Sequence, residues 1–206
     1  WGGQEPDGVT GGGTVAVNAD GSVVLWSADG AGVHHSTTTG SSWEASEGVP
    51  EGAQVEADRV DPDVFYAVAD GTFYTSTDGG VTFDASETAV VPSAGNVRFA
   101  AVPGHTGDVW LAGGEDNGYY GMWRSTDAGA TFEAVAGVDE GDSIGFGAPA
   151  PGADYPAVYT SSRIDGVRGI FRSDDAGPSW TRLKHEEHKW GRPGATITRD
   201  ANMPDR

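Results

Sequence analysis

The chain has 206 residues with Gly 33, Pro 11 and aromatics at 10%, a turn-dense composition that still carries enough ring mass for a packed core. Lys+Arg 12 against Asp+Glu 31 gives a net charge of −19, which repels phosphate backbones and anionic lipid and argues against nucleic-acid and membrane partners. Cys 0 excludes disulfides and thiol chemistry, and no apolar run approaches the roughly 20 residues that cross a bilayer. Short apolar runs bounded by Gly, Asp and Pro predict strands, and helical periodicity is missing. In the first repeat, 12–48, such runs lie at 12–17, 23–26 and 32–33. The second, 49–90, has them at 64–68 and 71–74. The third, 95–137, has them at 109–111 and 121–123, and the fourth, 142–185, at 157–159 and 169–171. A further repeat is expected to begin over 190–206, with its first strand at 195–198.

One octad closes each repeat: Ser36-Thr-Thr-Thr-Gly-Ser-Ser-Trp43, Ser76-Thr-Asp-Gly-Gly-Val-Thr-Phe83, Ser125-Thr-Asp-Ala-Gly-Ala-Thr-Phe132 and Ser173-Asp-Asp-Ala-Gly-Pro-Ser-Trp180. The chemistry is local. The carboxylates of Asp78, Asp127 and Asp175 can accept backbone N–H bonds within their own turns. Gly80, Gly129 and Gly177 can take a positive φ without a Cβ penalty. Phe83, Phe132 and Trp180 then anchor the returning strand. This is the Asp-box, Ser-x-Asp-x-Gly-x-Thr-Trp/Phe, and its serines Ser76, Ser125 and Ser173 complete the motif. Thr38 stands in the Asp position of the first copy, so that turn keeps only a hydroxyl version of the bond. A turn tolerates such a replacement and a catalytic carboxylate does not, so these aspartates are expected to be structural.

A period of about 45 residues with four strands per unit is the pattern of a β-propeller blade. The fold expected is all-β: an arc of about four blades, each a four-stranded antiparallel sheet, within a seven-bladed propeller. Trp1 stands where the last residue of an earlier octad would fall, and Arg206 lies one strand into a further blade. The sequence therefore reads as a partial second propeller cut from a longer chain.

The stretches between the octads narrow the reading. They include 12–17, Asp20-Gly-Ser-Val-Val-Leu-Trp26, Asp58-Arg-Val-Asp-Pro62 before Phe65-Tyr66, Ala101-Val-Pro-Gly104 and Gly107-Asp-Val-Trp-Leu111. They continue through 138–147, Ala150-Pro-Gly152, Tyr155-Pro-Ala157, Ile164-Asp-Gly-Val167 and His188-Lys-Trp-Gly191 to Ala195-Thr-Ile-Thr198. In this order they resemble the second propeller of glycoside hydrolase family 74, the endo-xyloglucanases, over nearly the whole chain. The resemblance implies a secreted, extracellular enzyme of two facing propellers that hydrolyses β-1,4-glucan bearing xylose branches, with inversion and without a cofactor or metal. It also implies that both catalytic aspartates lie upstream of Trp1, one of them in a missing N-terminal propeller. These 206 residues would then hold no catalytic residue and shape one side of the polysaccharide cleft.

Sugar rings stack on exposed aromatic faces. Tyr119 and Tyr120, in the glycine-rich 113–121 insertion, and Trp190 with His188 on the 184–194 connection are the candidate substrate contacts. The family usually has Tyr where Trp190 stands. Trp26, Phe65, Trp110, Trp123 and Phe171 sit at strand positions and are expected in the core. The acidic residues outside the octads, Glu115, Asp116, Asp139, Glu140, Asp142, Asp165, Glu186 and Glu187, read as solvated loop carboxylates. His185-x-x-His188 has a metal-like spacing but no helix to align it. Two other classes stay open: a sortilin-like propeller that binds a glycan or protein, and a sialidase-like hydrolase, for which the scattered arginines offer no triad.

Overall fold

The computed structural model describes residues 5–87, 92–93, 96–115 and 120–183. The first repeat forms an antiparallel sheet of β1 (Gly11–Val17), β2 (Val24–Asp29), β3 (Gly32–Ser36) and β4 (Glu44–Ala45), in that order. The second repeats the pattern with β5 (Gln54–Ala57), β6 (Phe65–Ala69), β7 (Thr72–Ser76) and β8 (Asp84–Ala85). The third comprises β9 (Asn96–Ala101), β10 (Val109–Gly114), β11 (Tyr120–Ser125) and β12 (Glu133–Ala134). In the fourth, two short strands, β13 (Val138–Gly141) and β14 (Gly145–Gly147), both pair with β15 (Ala157–Ile164), which continues to β16 (Val167–Ser173) and β17 (Thr181–Arg182). The all-β class and the four antiparallel sheets agree with the sequence expectation.

Burial explains why the second strands read as unbroken apolar runs. β6 is buried at every residue, and so is β10 up to its last glycine. A strand covered on both faces cannot alternate. The two-residue fourth strands are exposed at both residues and end each sheet quickly, which leaves little free edge for unwanted pairing.

The chain divides into two compact units. Unit 1 is Trp1–Ser93 with Gly104–Asp108 and Ser125–Phe132. Its core gathers Leu25, Phe65, Phe83, Val33 and Val55 with small residues such as Ala16, Ala53, Ala57 and Ala67. Thr14 Oγ1 accepts from Val55 N at 3.1 Å and ties β1 to β5. Unit 2 is Ala94–Pro103, Val109–Arg124 and Glu133–Arg206. There Trp110, Met122, Val102, Ala112 and Val158 form the core. The fully buried Trp110 donates from Nε1 to the Tyr155 hydroxyl at 2.8 Å, so its one polar atom is satisfied. Arg124 stacks over the same two rings, 5.7 Å from that of Trp110 and 4.7 Å from that of Tyr155.

Each octad turn is held by its own side chains. Ser76 Oγ donates to Asp78 Oδ1 at 2.8 Å and accepts from Gly80 N at 3.0 Å. Asp78 also accepts from Thr82 N at 2.9 Å and Thr82 Oγ1 at 2.6 Å. Asp127 takes the same bonds from Ser125, Thr131 N and Thr131 Oγ1, and Asp175 from Ser173, Ser179 N and Ser179 Oγ. In the first copy Thr38 Oγ1 accepts from Ser42 N at 2.9 Å, and Gly40 N donates to Ser36 Oγ at 2.9 Å. Two consecutive residues turn left-handed in every copy: φ is 54° and 82° at Thr39 and Gly40, and 58° and 85° at Ala128 and Gly129.

The octads also seat on neighbouring sheets, which local sequence does not announce. Ideal Cβ atoms placed on Gly80, Gly129 and Gly177 come within 2.6 Å of Leu25, 2.0 Å of Phe73 and 3.0 Å of Trp110. Each of those residues belongs to the repeat before. Phe132 packs edge-on against Phe73 at 5.0 Å, and Trp180 against Trp110 at 6.5 Å. Polar bonds follow the same rule: Ser46 Oγ donates to Gly80 O at 2.6 Å and Thr75 Oγ1 to Ala128 O at 2.8 Å. Accordingly the third octad, Ser125–Phe132, belongs to unit 1. The first octad keeps to its own repeat, Trp43 meeting Trp26 at 5.7 Å.

Candidate functional site

A polar cluster outside the turns lies in unit 2, where β13, β15 and β16 run side by side. Their register sets Glu140 opposite Arg163, and Arg163 opposite Arg168. Two arginines directly across an antiparallel pair repel one another, and Glu140 resolves that conflict. Its Oε1 lies 3.0 Å from Arg163 Nη1, and its Oε2 accepts from Arg168 Nη2. Arg168 Nη1 reaches Asp142 Oδ2, so one guanidinium bridges two carboxylates. Asp142 Oδ1 accepts the hydroxyl proton of Tyr120, the first residue of β11.

Backbone approach makes that last bond possible. A Cβ on Gly141 would stand 2.5 Å from Gly121 O and 3.2 Å from Ala112 Cβ, so only glycine lets β13 come this near β11. Asp142 is fixed from behind by its own N–H, which donates to Ser161 O at 3.0 Å. Glu140 and Asp142 keep 15% and 18% of their side chains exposed, and the four charges sum to zero. The cluster is half-sheltered and locally neutral in a strongly acidic chain.

Of the predicted contact residues, Tyr120 falls in this cluster, half-buried. Tyr119, His188 and Trp190 lie outside the described residues, as do Asp116, His185, Glu186 and Glu187. Glu140 was expected as a solvated loop carboxylate; it is a strand residue and, like Asp142, ion-paired. Asp139 Oδ2 instead accepts from Gly166 N at 2.7 Å, and Asp165 turns the β15–β16 hairpin with φ 48°. Phe65, Trp110 and Phe171 are buried as expected. Trp26 and Trp123 are only half-buried, Trp26 using its Nε1 to bond Gly12 O at 3.0 Å.

Two carboxyl environments were not foreseen. Asp58 is fully buried, with Oδ1 accepting from Val60 N (2.8 Å) and Asp61 N (2.9 Å) and Oδ2 from Tyr66 OH (2.7 Å) and Gly107 N (2.9 Å). Burial alone would raise its pKa, but these four donors outweigh burial and hold it below the ordinary aspartate range. Burial, with the bond to Asp58, pushes the Tyr66 phenol well up. Glu56 shows the opposite balance to Asp58: burial raises its carboxyl, and the ion pair with Arg59 offsets this only in part. The bonds from Val60 and Asp61 close a local turn, and those from Tyr66 and Gly107 depend on tertiary contact. Among the described residues no three His, Cys, Asp or Glu side chains gather as metal ligands.

Four antiparallel sheets of one repeating strand pattern, each with its octad, define a β-propeller arc, and solved structures agree. The GH74 xyloglucanase from Xanthomonas campestris superposes with a TM-score of 0.82 at 34% identity, over 97% of this chain and 28% of that one. The GH74 enzyme of Niastella koreensis gives 0.78 at 36% identity, over 88% of this chain and 26% of that one. Among curated proteins, a xyloglucanase of Paenibacillus sp is 50% identical over 200 residues, 97% of this chain and 19% of its own length. A xyloglucanase of Acetivibrio thermocellus is 44% identical over 94% of this chain and 22% of its length. No protein-family profile matches. The chain belongs to glycoside hydrolase family 74, and it spans about a fifth of the length of the curated relatives it matches.

Proposed function

We propose that the chain is one stretch of a secreted glycoside hydrolase that cleaves the β-1,4-glucan backbone of xyloglucan with inversion, and that it shapes one side of the polysaccharide cleft. The observation that carries this is the 50% identity over 97% of the chain to a protein named xyloglucanase. Aromatic plates at Trp190, Tyr119 and Tyr120, with the imidazole of His188, supply stacking and hydrogen bonds to an uncharged sugar. The rest of the enzyme, including an N-terminal propeller, is the partner that completes the cleft.

The catalytic pair belongs outside these residues in this reading. Inversion needs an acid and a base about 6.5–9.5 Å apart with a water between them. Several described carboxylates are otherwise engaged: Asp78, Asp127 and Asp175 in their turns, Asp58 buried under four donors, and Glu140 and Asp142 on arginines.

Two measurements test the proposal. The purified 206-residue chain is expected to release no oligosaccharide from xyloglucan; release by an uncontaminated sample would overturn the placing of the catalytic pair. In the intact enzyme, Trp190→Ala is expected to weaken xyloglucan-oligosaccharide binding by about 1–3 kcal/mol, the scale of base–aromatic stacking, without lowering the melting temperature. Unchanged affinity by calorimetry would remove Trp190 from the cleft.

A further inference from the structure

We propose that Arg168 is a positioning residue that fixes Tyr120 as a sugar-contact platform, acting through Asp142. This rests on the reading above in which Tyr120 touches the glucan. A tyrosine at the start of a strand, beside a glycine-rich insertion, would otherwise spread over several rotamers and lose that freedom on binding. Here its hydroxyl donates to Asp142 Oδ1 before any ligand arrives.

Asp142 alone would be a weak anchor, because it follows the last residue of β13. Arg168 makes it a firm one. The two terminal nitrogens of the guanidinium face Asp142 and Glu140 at once, a planar fork that a lysine ammonium cannot copy. Glu140 is held in turn by Arg163. The chain of bonds thus runs from two strand-borne arginines to one phenol. With its O–H directed at Asp142, the Tyr120 oxygen meets a sugar hydroxyl as an acceptor. With the cluster's charges balanced, the ligand class it suits is a neutral, hydroxyl-rich oligosaccharide.

The test uses the intact enzyme, with a xyloglucan oligosaccharide as ligand, and reads affinity by calorimetry together with KM and kcat. Tyr120→Ala, Arg168→Met and the double variant are each expected to lose about tenfold in affinity, equivalent to 1.4 kcal/mol. The double variant should lose no more than either single one, because both break the same contact. KM should rise with kcat nearly unchanged. Arg168→Lys should recover only part of the loss. Should Arg168→Met fold poorly, Asp142→Asn keeps the shape and the acceptor for Tyr120, loses the arginine link, and is expected to weaken binding likewise. If Tyr120→Ala weakens binding while Arg168→Met and Asp142→Asn do not, the positioning role is overturned and the sugar contact stands. Additive losses would also overturn it, by showing that Arg168 acts independently of Tyr120. If Tyr120→Ala leaves affinity unchanged, the underlying sugar contact is itself wrong and the inference falls with it.

Discussion

Replacing Asp58 with alanine is expected to destabilise unit 1 by about 3–5 kcal/mol, the range for removing the acceptor from a buried, fully bonded polar network. Four donors lose their partner at once: the N–H groups of Val60, Asp61 and Gly107 and the hydroxyl of Tyr66. Two of these are sealed from water, since the bonds from the Tyr66 hydroxyl and from Gly107 N are both buried. The site has a pH signature too. Because the folded-state pKa of Asp58 lies below its unfolded value, its stabilisation is present above about pH 4 and is lost as pH falls through the folded value. Asp78, Asp127 and Asp175, also held low, add to the same acid limb. Thermal melts of the wild-type chain should therefore fall below about pH 4. Those of Asp58→Asn, which leaves a neutral acceptor in place, should start lower and fall less. A parallel pH dependence in the two proteins would show that Asp58 is not the titrating group.

Gly129→Ala is expected to cost about 2–5 kcal/mol, for a different reason. The φ of 85° strains any residue with a Cβ by about 1–2 kcal/mol. The added methyl would also stand 2.0 Å from Phe73 Cε1 and 2.3 Å from Cδ1. Phe73 is fully buried between Tyr66, at 5.8 Å, and Phe132, at 5.0 Å, and has nowhere to turn, so overpacking adds about 1–3 kcal/mol. Gly40→Ala provides the internal control. Its φ of 82° matches, but its nearest neighbour is Trp43 Cζ2 at 3.5 Å, so only the backbone strain should appear. A Gly129→Ala melt no lower than that of Gly40→Ala would show that the octad does not depend on its seat.

What the sequence made legible was local. The octads are bonded within eight residues, so their spacing pointed to about four antiparallel sheets. Tyr120 stood out as an aromatic beside glycines. Its partners did not, because Glu140, Arg163 and Arg168 meet only through the register of three strands. Asp142 reaches Tyr120 only because Gly141 permits a close approach. Leu25, Phe73 and Trp110 looked like any other strand apolar residue; that each cushions the next repeat's octad is a tertiary fact. The half-exposure of Trp26 and Trp123 was likewise hidden, since a strand's apolar run does not say which face is covered.

The seating of each octad one repeat back also bears on modularity. In stacked-repeat proteins a unit can often be deleted or exchanged whole, because each contacts its neighbours through separable faces. Here β11 and β12 pair with one another, yet the octad between them, Ser125–Phe132, lies against Phe73 of the previous repeat. A crossover inside the β11–β12 hairpin parts the octad from its own sheet, and one at the boundary before the third repeat parts it from its cushion. Every boundary between consecutive repeats thus separates one octad from the residue it seats on. Chimaeras of this family should therefore tolerate exchange of the loops between strands far better than exchange of whole repeats.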